Sequence, residues 1–169
     1  MLAIFCLLAY KFETFCGVFI HHLAAVVQKK LQNEKQVFLG HPNDHCYYWS
    51  TATDYDSTMA MSWNEAEAFC QQKNGHLASI TSNAINQYVF EGRISRGFGF
   101  TWVGGNDIDK EGTWKWTDGS PFEFTAWGGG EPNNRNGENC LHVAEPKNDL
   151  WNDFHCSLPA AFICGKKKS

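Results

Sequence analysis

Between Trp127 and Asp153 the chain gathers hard oxygen donors at a density that folding alone does not require: Glu131, Asn133, Glu138, Asn152 and Asp153. They come as Glu131-Pro132-Asn133 with Glu138, then as Asn152-Asp153. Carboxylates and side-chain amides of this kind suit Ca2+, which takes about six to eight oxygens at roughly 2.3–2.6 Å. No Cys or His is placed among them as a soft ligand, so zinc is disfavoured. One side-chain oxygen from each of the five, with the Asp153 carbonyl, makes about six contacts and leaves about two positions for an external ligand. Paired carboxylates also raise the question of glycoside hydrolysis, which needs one acid kept protonated. Carboxylates bound to a divalent cation are held ionised, which removes that acid and points to a binding protein, not an enzyme.

These clusters sit in a wider pattern. Glu138 stands two residues before Cys140, and Trp151-Asn152-Asp153 stands three residues before Cys156, with a final Cys164. Upstream lie Ser62-Trp63-Asn64-Glu65-Ala66 leading to Cys70, then Gly75-His76-Leu77-Ala78-Ser79-Ile80 and Trp102-Val103-Gly104-Gly105. Taken in this order, from about Cys46 to Cys164, they resemble a C-type lectin domain. The resemblance implies an α+β, C-type lectin-like fold: two helices, small antiparallel sheets and a long calcium-binding loop, stapled by disulfides Cys70–Cys164 and Cys140–Cys156. On the chain-entropy model such closures are worth about 3 kcal/mol for the short loop and about 5 for the long one.

The resemblance also assigns roles. Glu131, Asn133, Glu138, Asn152 and Asp153 become the metal ligands, and Glu131, Asn133, Glu138 and Asn152 also meet two adjacent sugar hydroxyls. A hydroxyl there can give a lone pair to the ion, accept an amide hydrogen and donate to a carboxylate. The order Glu-Pro-Asn resembles the mannose-type arrangement, which takes mannose, N-acetylglucosamine, glucose and fucose, and it implies a cis bond before Pro132. An auxiliary calcium site would use Asp107, Glu111, Asn134, Glu138 and Asn139. Many members have Asp where Asn139 stands, so this chain carries one charge less there. Members that bind a protein, a lipid or ice instead often lose calcium ligands, which this chain keeps.

The rest of the chain must position that stretch. Its 169 residues suffice for one domain with a core, and 15% aromatics with 15 Gly suggest a loop-rich module. A formal charge of −4 without a long basic run gives no reason to expect nucleic acid. Seven cysteines without zinc-type spacing place the chain in an oxidising compartment, secreted and extracellular.

Residues 1–25 read as a secretory signal ending near Leu23-Ala24-Ala25, with a signal-anchor or a misassigned start as alternatives. No run reaches the about 20 apolar residues of a membrane span. Residues 26–40 read as a polar connector, 41–165 as the domain and 166–169 as a solvated basic tail. Cys46 lacks the upstream partner that some family members provide. Its mate is Cys16, another chain in a homodimer, or nothing; cleavage near Ala25 would remove Cys6 and Cys16 and leave an odd count. A nucleophilic Cys46 paired with His41 or His45 has no third residue to orient it.

Cys46-Tyr47-Tyr48-Trp49 reads as a first strand. Ser62 to Asn74 reads as a helix with a Ser62-x-x-Glu65 capping box, a core face of Trp63, Ala66, Phe69 and Cys70, and Gly75 as its stop. Ser82 opens a second helix with Ile85, Tyr88 and Val89 on one face, and His76 is expected to be a satisfied structural histidine. Trp102 to Gly105 reads as a buried strand and Thr113 to Thr117 as a half-exposed one ending at Asp118-Gly119. The Asn106 to Glu111 stretch between them reads either as a solvated turn or as part of the auxiliary site. The loop from Pro121 through Gly128-Gly129-Gly130 is long enough to be functional.

Overall fold

The computed structural model describes residues 39–40 (backbone only), 45–50, 59–143 and 150–167, all within the compact unit 38–169. The signal, most of the connector, Cys6, Cys16 and residues 168–169 lie outside the described residues. The strands are β1 (Leu39–Gly40), β2 (His45–Trp49), β3 (His76–Leu77), β4 (Thr101–Asn106), β5 (Lys115–Trp116), β6 (Cys140–Val143), β7 (Trp151–Phe154) and β8 (Ala161–Lys167), and the helices are α1 (Trp63–Gln72) and α2 (Asn83–Ser95). The two ends of the domain differ from the sequence expectation: Leu39–Gly40, assigned to the connector, pair with β2, and Lys166–Lys167, assigned to the tail, close β8 against β2.

The sheet runs β1-β2-β8-β4-β6-β7, with β3 also on β8 and β5 also on β4. All ladders are antiparallel except β4 with β8, which is parallel (Thr101 opposite Ala161, Trp102 opposite Phe162). That pairing fuses two antiparallel ladders into one mixed sheet. Strand β4 is buried at every residue, which suits a strand flanked by β8 and β6 with packing on both faces.

Helix α1 starts as its sequence demands: Ser62 Oγ accepts from Glu65 N–H, and the Glu65 carboxylate accepts from Ser62 N–H at 3.0 Å. The Ser62 hydroxyl also donates to the Glu65 carboxylate at 2.5 Å, and this bond first, then the one from Ser62 N–H, holds the Glu65 carboxyl below its usual range. Its end differs from the expectation. Asn74, at φ 57°, is the left-handed residue, and Gly75 is needed instead for close approach, since a Cβ there would lie 2.7 Å from the Gly165 carbonyl oxygen. Phe69 is only partly buried, whereas Glu67 is buried and accepts from Leu77 N–H at 2.8 Å and meets His76 Nδ1 at 2.6 Å. His76 is thereby the satisfied structural histidine expected. Indoles pin β4 to its neighbours, with Trp63 Nε1 of α1 donating to Val103 O (2.8 Å) and Trp102 Nε1 donating to Met61 O (3.1 Å) and Leu158 O (3.2 Å).

Disulfide Cys70–Cys164 ties α1 to β8, and Cys140–Cys156 ties β6 to the turn after β7. Strand β4, which carries the Trp102-Val103-Gly104-Gly105 element, works through its glycines: a Cβ on Gly104 would stand 2.6 Å from Leu77 O and 2.8 Å from Thr117 Oγ1. Gly104→Ala is therefore expected to lower stability by about 1–3 kcal/mol through overpacking, measured by denaturant unfolding. Gly129→Ala, with nothing near its Cβ position, should stay within about 0.5 kcal/mol. Equal behaviour of the two variants would contradict the packing argument.

Candidate functional site

The long loop is seated on Trp151 of β7, a buried indole whose Nε1 donates to Asn86 Oδ1 of α2 at 2.8 Å. Trp116, Phe122, Phe124 and Trp127 surround it, mostly edge to face. Backbone bonds Trp151 N to Ala126 O and Gly128 N to Trp151 O, both 2.8 Å, lace the loop to the strand. Trp127 is thus a wedge at the loop's base, 4.7 Å from Trp114 as well. Trp114 turns into this cluster, and of the expected Thr113 to Thr117 strand Lys115–Trp116 form the β5 ladder with β4, followed by Thr117 N–H on Gly104 O at 3.1 Å. Of the three glycines, Gly130 uses its freedom, at φ 90°, and Glu131 N–H returns to Gly128 O at 3.1 Å.

Beyond this turn the Glu131–Pro132 bond is cis. Asn134 (φ 48°), Asn136 (φ 58°) and Gly137 (φ 87°) then take left-handed conformations, closed by Gly137 N–H on Asn134 O at 3.3 Å. Asn and Gly are the residues that tolerate this region, so the run Asn133-Asn134-Arg135-Asn136-Gly137 is a tight reversal that brings Glu138 back beside Glu131. In the sequence the closely spaced Asn and Gly of this run are a turn signal, separate from the auxiliary-ligand role expected of Asn134.

Four of the five expected ligands meet. Asn133 Nδ2 donates to Glu131 Oε2 at 2.6 Å, and Arg135 N–H lies 2.8 Å from Asn133 Oδ1 and 3.2 Å from Glu138 Oε2. Asp153, fully buried, accepts from Asn133 N–H at 3.1 Å and from Asn134 N–H at 2.6 Å, and its carboxylate is in hydrogen-bonding contact with Glu131. The fifth stands apart: the Asn152 side chain is joined to His142, Nδ2 to Nε2 at 2.9 Å, across the β6–β7 pair that sets His142 opposite Asn152.

The charge balance of the cluster is unusual. Among the described residues no Lys, Arg or His side chain pairs with Glu131, Glu138 or Asp153. Burial, contact with Asp153, and the charges of Asp153 and Glu138 push the Glu131 carboxyl above its usual range. The Asn134 Oδ1 atom is buried with no hydrogen-bond partner, a kind of group that in native proteins asks for an ion or a water. Among the described residues no three His, Cys, Asp or Glu side chains form a metal cluster by themselves, so amide and main-chain oxygens would have to share the work. This donor set is all hard oxygen, and it fits Ca2+.

The auxiliary set also converges, but around an amide. Asp107 is buried and accepts from Gly112 N–H at 2.8 Å, so the acidic stretch after β4 is more than a solvated turn. With its amide nitrogen turned inward, Asn139 donates to Asp107 Oδ1 at 3.2 Å and to Glu111 Oε2 and Glu138 O at 3.3 Å. Burial and neighbouring carboxylates raise both Asp107 and Glu111. An amide N–H2 bridging two carboxylates occupies the role that a cation would take, which weakens this second site.

Residues 59–166 match the family model described as "Lectin C-type domain". The chain belongs to the C-type lectin domain family. As such domains generally do, it is expected to bind rather than to catalyse; the family generally binds Ca2+ and glycans. Human "C-type lectin domain family 17, member A" is 38% identical over 124 residues, 73% of this chain and 30% of the human protein. The lectin domain here therefore spans less than a third of that relative's length, and 8% of mouse C-type mannose receptor 2. A "C-type lectin mannose-binding isoform" of Oxyuranus scutellatus is 44% identical over 110 residues, 60% of this chain and 68% of its own. Among solved structures, a "calcium-independent type II antifreeze protein" superposes with TM-score 0.66 and 32% identity over 78% of this chain and 92% of its own. Among the described residues of this lectin domain no helix is long and apolar enough to cross a membrane.

Proposed function

We propose that this domain binds mannose-type glycans, those displaying mannose, N-acetylglucosamine or fucose, in a calcium-dependent manner and in an extracellular, oxidising setting. The supporting observation is the interlocked Glu131, Asn133, Glu138 and Asp153 cluster, which holds three carboxylates without a cationic partner among the described residues. In this reading Glu131, Asn133, Glu138, Asn152 and Asp153 hold the ion, and Asp107, Glu111, Asn134, Glu138 and Asn139 form a weaker auxiliary set. Bound there, Ca2+ would supply two open positions for neighbouring sugar hydroxyls. The chain's own part is to match their protons: Asn133 and Asn152 donate, Glu131 and Glu138 accept. The 2.6 Å bond between Asn133 and Glu131 is the one a sugar hydroxyl replaces, since it can satisfy both groups at once. The mannose-binding description of the Oxyuranus scutellatus relative supports the sugar class.

The test is retention on immobilised mannan. Oxidised protein should bind in calcium and elute with EDTA, and soluble mannose should compete. The second reading, a non-sugar ligand such as a protein, a lipid or ice, is favoured by the similarity to a calcium-independent antifreeze protein. Retention in EDTA equal to that in calcium would sink the first reading, and no retention in either condition would favour the second.

A single shallow site binds a monosaccharide weakly, so useful avidity needs several sites held together. Cys46 is the link in this reading: half-buried in β2, it forms no disulfide among the described residues. Non-reducing electrophoresis of protein recovered from the medium should show a dimer that reductant collapses; a monomer alone would leave Cys46 without that role.

A further inference from the structure

His142 is an odd choice for its surroundings. The ring is 1% exposed in the middle of β6, with Phe100, Trp102 and Phe154 packed edge-on around it at centroid distances of 5.1, 5.8 and 5.1 Å. Its Nδ1 is buried with no hydrogen-bond partner. One hydrogen bond is therefore all that is described for this ring, the 2.9 Å contact between Nε2 and the Asn152 amide nitrogen. An apolar side chain would serve the packing better, because a buried polar atom without a partner is costly.

We infer that His142 is a positioning residue for the calcium and sugar site: by accepting one hydrogen of the Asn152 amide at Nε2, it fixes which end of that amide faces the ligand. An asparagine amide can turn over and present nitrogen where oxygen is needed, and the two ends are nearly the same shape. With Nδ2 held by His142, Oδ1 is left for the cation and the second Nδ2 hydrogen for a sugar hydroxyl. This arrangement requires a bare Nε2 and puts the ring proton on Nδ1, the atom that the aromatic rings leave unpartnered. Phe100, Trp102 and Phe154 hold the plane of the imidazole so that Nε2 stays aimed along β7. Outer partners of this sort orient the groups that touch the metal, and losing one costs about 10–100-fold in metal affinity. The inference rests on the reading of Asn152 as a ligand.

Two substitutions separate the hydrogen bond from the packing. His142→Phe keeps an aromatic ring against Phe100, Trp102 and Phe154 but removes the acceptor. His142→Gln loses the ring but can place an amide oxygen near the position of Nε2. Calcium affinity, by calorimetric titration of the oxidised full chain, should fall about 10-fold or more in His142→Phe and recover to within a few-fold of wild type in His142→Gln. Mannose affinity at saturating calcium should follow the same order, although a purely structural role would rank the variants by packing and favour Phe. Equal calcium and mannose affinities in wild type and His142→Phe would overturn the inference. The wild-type protein gives a second answer if a variant does not fold: long-range 1H–15N spectra should show His142 protonated at Nδ1 and bare at Nε2. The opposite tautomer would mean that Asn152 presents its oxygen to His142, and the inference fails. A wild-type protein with no calcium binding at all would instead defeat the proposed function, an outcome that the spectra do not share.

Discussion

Asp153→Asn is expected to lower calcium affinity by at least about 100-fold while leaving the domain folded, a loss above the range seen for outer-sphere partners because a charged ligand is removed. Asp153 is fully buried at the end of β7 and accepts from the backbone N–H groups of Asn133 and Asn134, so it joins the loop to the strand even without metal. Asparagine has the same shape and can still accept through one oxygen. The cost of the lost bond is about 1 kcal/mol, partly offset by relief of repulsion with Glu131. In EDTA the variant and wild type should therefore melt within a few degrees of each other. Calcium at about 100 times the dissociation constant should stabilise the wild type by about 2.7 kcal/mol and the variant hardly at all. Thermal scans with and without calcium read this difference directly, with the exposed Glu123→Gln as the control that should keep the full response. A variant that keeps the wild-type calcium shift would remove Asp153, and with it the proposed metal centre, from the account.

Acidification should weaken the protein by two routes that calcium tells apart. The Glu131 carboxyl is raised by burial and by its contact with Asp153, so it takes up a proton at higher pH than a free glutamate and competes with the ion. Binding of calcium and sugar should fall as pH drops through that raised range, and excess calcium should restore it. The second route runs through His142, which burial pushes down to about 4, with Asp153 opposing and Arg93 adding to the shift. Unfolded, its pKa is about 6.5, so below that pH the unfolded state binds a proton that the folded state refuses. Stability is therefore full above pH 6.5 and is lost as pH falls toward 4, by about 3 kcal/mol once both states are protonated. Calcium does not reverse this loss by mass action on His142. Urea unfolding at pH 7.5 and 4.5, in EDTA, measures the second route with calcium competition removed. His142→Phe should flatten that dependence, and an unchanged acid loss in that variant would assign it elsewhere.

Much of this molecule is legible from local chemistry. The capping box at Ser62 and Glu65, the strand at Cys46 to Trp49 and the buried Trp102 element each depend on nearest neighbours and on burial patterns of two or three and four residues, which a sequence displays directly. The family resemblance adds the two disulfides, the mixed helix and sheet composition and the cis bond before Pro132, none of which spacing alone would decide. The list of hard oxygen donors is likewise readable, because the types and their clustering are the chemistry. Tertiary structure decides where those donors stand. Glu131, Asn133, Glu138 and Asp153 come together only because Trp151 anchors the loop from below and Asn134, Asn136 and Gly137 reverse it. The parallel pairing of β4 with β8 joins segments some sixty residues apart and leaves no local trace. His142 reads in sequence as one more histidine; its partner Asn152 lies ten residues on, opposite it only through the β6–β7 register, and its burial comes from Phe100, Trp102 and Phe154. Ligand identity is a property of side-chain type, which the chain carries residue by residue. Ligand orientation is a property of what packs behind each side chain, and that exists only once distant segments have met.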